Sequence, residues 1–140
     1  MYDLSRFHNA QKRDYQTALS EIKSGRKRSH WIWYIFPQIA GLGFSSTSQF
    51  YAIRDLSEAK AYLADPVLKE HLEEISSALL SLDSSNPLAV MGYPDDLKLR
   101  SSMTLFEAAD PDCGIYPAVL KKFFNGQRDS ATLDILGMQP

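Results

Sequence analysis

The sequence predicts an all-α protein, a single multihelical domain with short connections, on three observations. Leu68, Leu72, Ile75, Leu79 and Leu82 form one apolar stripe at spacings of four and three, the period of a helix that buries one face. Glycine and proline recur where helices stop or start, at Gly25, Pro37, Pro66, Gly92, Gly126 and Gly137. There is no run of alternating strands and no strand-turn-helix glycine loop. The 140 residues suit one domain spanning 1–140 and suffice for a core without disulfides or metals.

Leu4, Phe7 and Ala10 predict a short opening turn, and Tyr15, Ala18, Leu19 and Ile22 predict a helix over 12–24 that Gly25 stops. In SHWIWYIFPQ, Ser29 suits a helix cap and Pro37 a stop. The run is aromatic and β-branched, so a strand competes, but no partner strand lies nearby and a short buried helix is preferred. GLGFSSTSQF reads as a turn followed by a second cap, and 57–64 as a small helix carrying Ala59, Tyr62 and Leu63. Asp65 caps the leucine-striped helix, with Pro66 in its first turn. SSNPLAVMGYP predicts a loop around one helical turn ended by Gly92. Residues 95–109 form a helix with Leu99, Met103 and Phe106 on one face. A helix with Val119, Leu120, Phe123 and Phe124 ends at Gly126, and a last one runs from about Ala131 to Leu136.

Fifteen basic and seventeen acidic residues give a net charge of −2, without the basic excess of a dedicated nucleic-acid binder. Such binding through residues 23–28 is the weakest reading. The single cysteine, Cys113, excludes an internal disulfide and predicts a reducing, cytoplasmic setting. The N-terminus has no apolar secretory core, and the longest apolar run, Trp31 to Pro37, is far short of a bilayer span. His8, His30, His71 and Cys113 share no metal-ligand spacing, so neither metal nor cofactor is expected. Cys113 has no flanking base.

Two segments are less core-like than the rest. GRKRSHWIWYIFPQ places Arg26, Lys27 and Arg28 before a helix start, where unpaired N–H groups suit phosphate or carboxylate. Trp31 or Trp33 would offer a flat face to a ring. The plainer alternative is a solvated basic loop beside core tryptophans. His30 is the natural proton carrier if the protein is an enzyme, or else a hydrogen-bonded core histidine. Gln38 would orient a ligand, and Gly41 and Gly43 permit either a close ligand approach or a turn that only glycine fits. In DDLKLRSSMTLFE, Lys98, Ser101 and Ser102 share one side of a helix. Lys98 or Arg100 would pair with an anion while the hydroxyls complete its hydrogen bonds; the alternative is that small serines allow close packing. Asp95 and Asp96 suit capping, and Asp96, four residues before Arg100, is that arginine's expected protein partner.

RFHNAQ, ALSEIKSGRKRSHWIWYIFPQIAGLG, EAKAYLADPVL and DDLKLRSSMTLF together resemble a family of small bacterial proteins known as domain-of-unknown-function family 1810. Some of its members carry a calpastatin-like label. The resemblance runs from Leu4 to Leu136 and implies a single multihelical domain. It implies no activity, and no residue here supports protease inhibition. Ala52, Asp65 and Lys69 stand where glycine, histidine and glycine are usual in that family.

The expectation is a cleft between segments 27–43 and 96–106 that binds, and as an enzyme turns over, an anionic, phosphate-bearing, nucleotide-like molecule. Lys27, Lys98 and Arg100 would hold charge, Trp31 or Trp33 would stack, Gln38, Ser101 and Ser102 would complete the contacts, and His30 would carry a proton in a transferase or hydrolase. The alternative is a non-enzymatic interaction module. Its polar motif residues would form a buried network, and its partner would sit on Tyr34, Phe44, Phe50 and Tyr51.

Overall fold

The computed structural model describes residues 2–138. Among them lie nine helices: α1 (Ser5–Lys23), α2 (Ile32–Ile35), α3 (Ser46–Tyr51), α4 (Leu56–Ala64), α5 (Pro66–Leu80), α6 (Pro87–Met91), α7 (Asp95–Ala109), α8 (Ile115–Phe124) and α9 (Ser130–Leu136). The one β feature among the described residues is an isolated parallel bridge between Ile39 and Ile53. The fold is all-α and forms a single compact domain. No helix among the described residues is long and apolar enough to cross a membrane.

The predicted opening turn and the 12–24 helix are one helix, α1. The apolar stripe looks interrupted because Gln11 occupies a core position, 3% exposed. Its amide donates to the Tyr34 carbonyl and the Tyr62 hydroxyl, both at 2.8 Å, and its oxygen faces His71 Nδ1 at 2.8 Å. Every polar atom is satisfied, which makes the buried amide tolerable. Gly25, at φ +90°, ends α1, with the Arg26 N–H reaching back to the Glu21 carbonyl at 3.1 Å.

Asp65 accepts from the amides of Val67 and Leu68 at the start of α5. Its other oxygen lies 2.7 Å from His8 Nε2. Leu68, Leu72, Ile75 and Leu79 are all buried, as the stripe requires, while Leu82 lies past the end of the helix. Ala52, extended at φ −63°, follows α3 without needing glycine. Each buried leucine contributes about 1.5–3 kcal/mol.

α7 is the central helix and packs on α8, α4, α6, α9 and α2. Its Leu99, Met103, Leu105 and Phe106 are wholly buried. Aromatic contacts run through the core from Phe7 to Tyr62 (5.1 Å, edge-on), Tyr62 to Phe106 (5.1 Å) and Phe106 to Tyr116 (6.0 Å). They tie α1, α4, α7 and α8 together.

Two expected caps are absent. Ser29 does not cap α2, which is a single turn without a side-chain cap, and neither Asp95 nor Asp96 caps α7. The Ser29 hydroxyl donates instead to Glu21 and Asp95 pairs with Lys27, while Asp96 Oδ1 is buried without a partner among the described residues.

Candidate functional site

The segment before α2 is organised by a residue on α1. Glu21 Oε1 accepts from the Arg28 amide (2.7 Å), the Ser29 amide (2.9 Å) and Trp31 Nε1 (2.9 Å), while Oε2 accepts from the Ser29 hydroxyl (2.6 Å). Partial burial pushes the Glu21 carboxyl up. The hydrogen bonds from Ser29, Arg28 and Trp31 together outweigh that and hold it down at about 2. Trp31 is 1% exposed, so its ring belongs to the core. The side chain of Lys27 is 5% exposed and its ammonium pairs with Asp95 Oδ2 at 2.8 Å. The same ammonium donates to the Ser29 carbonyl and lies 4.8 Å from the centre of the Trp31 ring. Half of the first cluster is thus a bonded network that clamps residues 27–31 between α1 and the start of α7.

The other half opens onto a pocket of about 300 Å³. The chain reaches it after α2, where the Ile53 amide donates to the Gln38 carbonyl (2.9 Å) and the Ala40 amide to the Ile53 carbonyl (2.7 Å). This staple presents Gln38 and the Gly41–Gly43 turn across from α7. Gly41 sits at φ +105°, and a Cβ on Gly43 would stand 2.6 Å from Ser48 Cβ. The turn itself therefore requires both glycines. Trp33, Gln38, Lys98, Ser101 and Asp129 line the pocket with the Gly41–Gly43 backbone.

Its polar groups are incompletely bonded. Lys98 Nζ lies 5.3 Å from the centre of the Trp33 ring, and its paired carboxylate is Asp95 at 3.7 Å, beyond hydrogen-bond length. The Trp33 indole N–H is buried and unpartnered. Ser101 Oγ lies 2.9 Å from Asp129 Oδ2 and 3.1 Å from the Leu97 carbonyl. Asp129 caps α9, where Oδ2 also accepts from the Thr132 amide (3.2 Å) and hydroxyl (2.6 Å).

The structure therefore brings together Trp33, Gln38, Lys98 and Ser101 from the two sequence clusters. It does not bring Lys27, His30, Trp31, Arg100 or Ser102 to the lining. His30 is exposed. Ser102 is fully buried with an unpartnered hydroxyl. Arg100 pairs with Asp129 Oδ1 at 3.9 Å rather than with Asp96, and its Nε is buried without a partner. For the alternative patch, Phe44 and Phe50 are 85% and 60% exposed, while Tyr34 is 4% exposed. Among the described residues no three His, Cys, Asp or Glu side chains group as a metal site.

Sequence reasoning missed Glu21 and Asp129. Glu21 carries no local signal, since its partners lie seven to ten residues onward across a turn. Asp129 had one: Asp-Ser-Ala-Thr ahead of Leu133 is a helix-cap pattern, though its place beside Ser101 is purely tertiary.

A family model described as "Protein of unknown function (DUF1810)" matches residues 1–136. No curated protein matches the chain. Among solved structures, the crystal structure of the conserved hypothetical protein Rv1873 from Mycobacterium tuberculosis is similar, with a TM-score of 0.95 and 39% identity, over 99% of each chain.

Proposed function

Since the chain belongs to the DUF1810 family, whose description carries no activity, we propose its function from the pocket itself: it binds a small anionic, ring-bearing molecule of nucleoside-monophosphate size. One observation carries this reading. Lys98, Trp33 and Gln38, drawn from two distant segments, line one cavity, where the Trp33 indole N–H is buried without a partner among the described residues and Lys98 meets its carboxylate only at 3.7 Å. Lys98 offers an ammonium to a phosphate, Trp33 and Tyr51 offer rings, and the Gln38 amide offers both a donor and an acceptor. A volume of about 300 Å³ lies at the small end of ligand sites, which favours a mononucleotide over a dinucleotide. The free, half-buried thiol of Cys113 supports a reducing, cytoplasmic setting.

Calorimetry and thermal unfolding with AMP test the reading. AMP at a hundredfold excess over its Kd raises the melting temperature on the order of 5–10 °C. Lys98→Gln weakens AMP by about 10-fold or more at unchanged stability. No response of the wild type to AMP, ribose 5-phosphate or inorganic phosphate at millimolar concentration overturns it.

The exposure of Phe44 and Phe50 favours a second reading, a protein-interaction face next to the pocket mouth. Sedimentation of the wild type and of the Phe44→Ser, Phe50→Ser double variant tests self-association. Association lost in the variant supports this reading, and monomers in both count against a homotypic contact.

A further inference from the structure

We propose that Asp129 makes this pocket a reader of sugar hydroxyls, so that its anionic ligand carries a vicinal diol, as a ribonucleotide or a phosphorylated sugar does. The inference rests on the anion-binding reading above and assigns the opposite end of the same ligand. Asp129 lines the pocket with its side chain 14% exposed. Its two oxygens have different duties. Oδ2 takes the Ser101 hydroxyl and both the amide and hydroxyl of Thr132, which satisfies the start of α9. Oδ1 has no hydrogen bond among the described residues, and Arg100 approaches it only to 3.9 Å.

A helix cap needs one carboxylate oxygen, so Oδ1 is spare for other work. An ionised carboxylate only accepts hydrogen bonds and repels anions. The phosphate end of a ligand is therefore directed to Lys98, and a neutral donor end to Asp129. Ser101 supplies a second acceptor beside the first. With its proton directed to Asp129 Oδ2 at 2.9 Å or the Leu97 carbonyl at 3.1 Å, its oxygen keeps lone pairs for a ligand hydroxyl. Two adjacent acceptors match two adjacent donors, the pattern of a cis-diol. The same logic places an acidic residue on ribose hydroxyls in dinucleotide-binding folds. Arg100, outside the lining, offsets the carboxylate's charge and makes the paired charges of the pocket tolerable.

The test is calorimetric titration of the full-length protein with AMP and with 2′-deoxy-AMP. The wild type binds the deoxy compound about 10-fold or more weakly, the effect of losing one charge-assisted hydrogen bond. Asp129→Asn keeps the helix cap, because asparagine caps as well as aspartate. That variant binds AMP and 2′-deoxy-AMP within about 2-fold of each other. Equal binding of the two compounds by the wild type overturns the inference and leaves the anion-binding reading intact, without recourse to any variant. Binding of phosphoethanolamine in place of AMP overturns it as well, because Asp129 would then serve an amine. If neither AMP, its deoxy form nor inorganic phosphate binds, both readings fall together.

Discussion

The Trp31 indole N–H donates to Glu21 Oε1 at 2.9 Å, and the same oxygen accepts the Arg28 and Ser29 amides. One carboxylate on α1 thus sets the path of the chain into α2, and the serine and first tryptophan of SHWIW are its ligands. Glu21→Gln keeps the shape but weakens every one of these charge-assisted bonds. The expected cost is about 1.5–3 kcal/mol, read as a lower urea midpoint at constant m-value. The pH dependence follows from the folded value of about 2 against an ordinary 4.5. A depressed carboxyl adds stability that is fully present above about 4.5 and is lost as the pH falls through 2. The wild type therefore destabilises more steeply than Glu21→Gln below pH 4.5. Parallel curves for the two proteins in that window would show that Glu21 does not carry this linkage.

Lys27 is structural on this geometry. Its ammonium is nearly enclosed and pairs with Asp95 at 2.8 Å. Breaking a fully buried pair costs about 3–5 kcal/mol. Asp95 retains Lys98 at 3.7 Å and some exposure, so Lys27→Met loses less, about 2–3 kcal/mol. Its affinity for AMP falls less than that of Lys98→Gln, because Lys27 lies outside the pocket lining and acts on the ligand lysine only through their shared partner Asp95. The opposite pattern, full stability with lost binding, would return Lys27 to the ligand.

Most of the fold was legible because its signals are local. The α5 stripe, the Asp65-Pro66 start, the Gly92 and Gly137 stops and the α7 span all follow from spacing and backbone preference within a few residues, while α8 is capped one residue before Gly126 by a left-handed Asn125. The error at α1 came from Gln11, whose burial is justified only by Tyr34, Tyr62 and His71. The site was half legible for a similar reason. Polar residues in unusual places marked the two segments, but sequence cannot distinguish a lysine enclosed against Asp95 from one that also faces a cavity. Lys27 and Lys98 looked alike in the sequence and both reach Asp95, but Lys27 is nearly enclosed at 2.8 Å while Lys98 stands 3.7 Å away and lines the pocket.

Gly43 supports the pocket through a contact that no local pattern reveals. A methyl group there would lie 2.6 Å from Ser48 Cβ and 2.7 Å from its Oγ. Rotating the serine moves Oγ and leaves Cβ in place, so the turn or α3 must shift. Gly43→Ala is expected to lose about 1–3 kcal/mol, as overpacking does, and to weaken AMP binding because both flanks of the clash line the pocket. Adding Ser48→Gly removes the clashing atom and restores binding, though not all of the stability, since glycine in a helix costs about 1 kcal/mol. Absence of recovery in the double variant would mean that the turn fails for another reason.

Arg100 offers the sharpest separation of structural from ligand roles. It was expected to pair with Asp96 one turn earlier, but its carboxylate is Asp129, from the start of α9, at 3.9 Å. That separation exceeds a hydrogen bond, and the guanidinium side chain is 28% exposed. Asp129 does not depend on it, because Ser101 and Thr132 hold the other oxygen. Removing Arg100 therefore leaves no unpartnered buried carboxylate, the circumstance that makes such losses large. Methionine also preserves the apolar stem beside Phe124, whose ring centre lies 6.0 Å from the guanidinium. Arg100→Met is expected to cost less than about 1 kcal/mol, the range of a loose, partly solvated pair. Its AMP affinity falls by less than about 5-fold, the scale of that same weak pair converted to binding, against the loss of about 10-fold or more expected for Lys98→Gln. Urea unfolding and calorimetry on the one variant decide among three roles. A loss of several kcal/mol would make Arg100 a structural tie, abolished AMP binding at full stability would make it a direct ligand contact, and small changes in both fit an arginine that tempers the charge of Asp129 from outside the pocket.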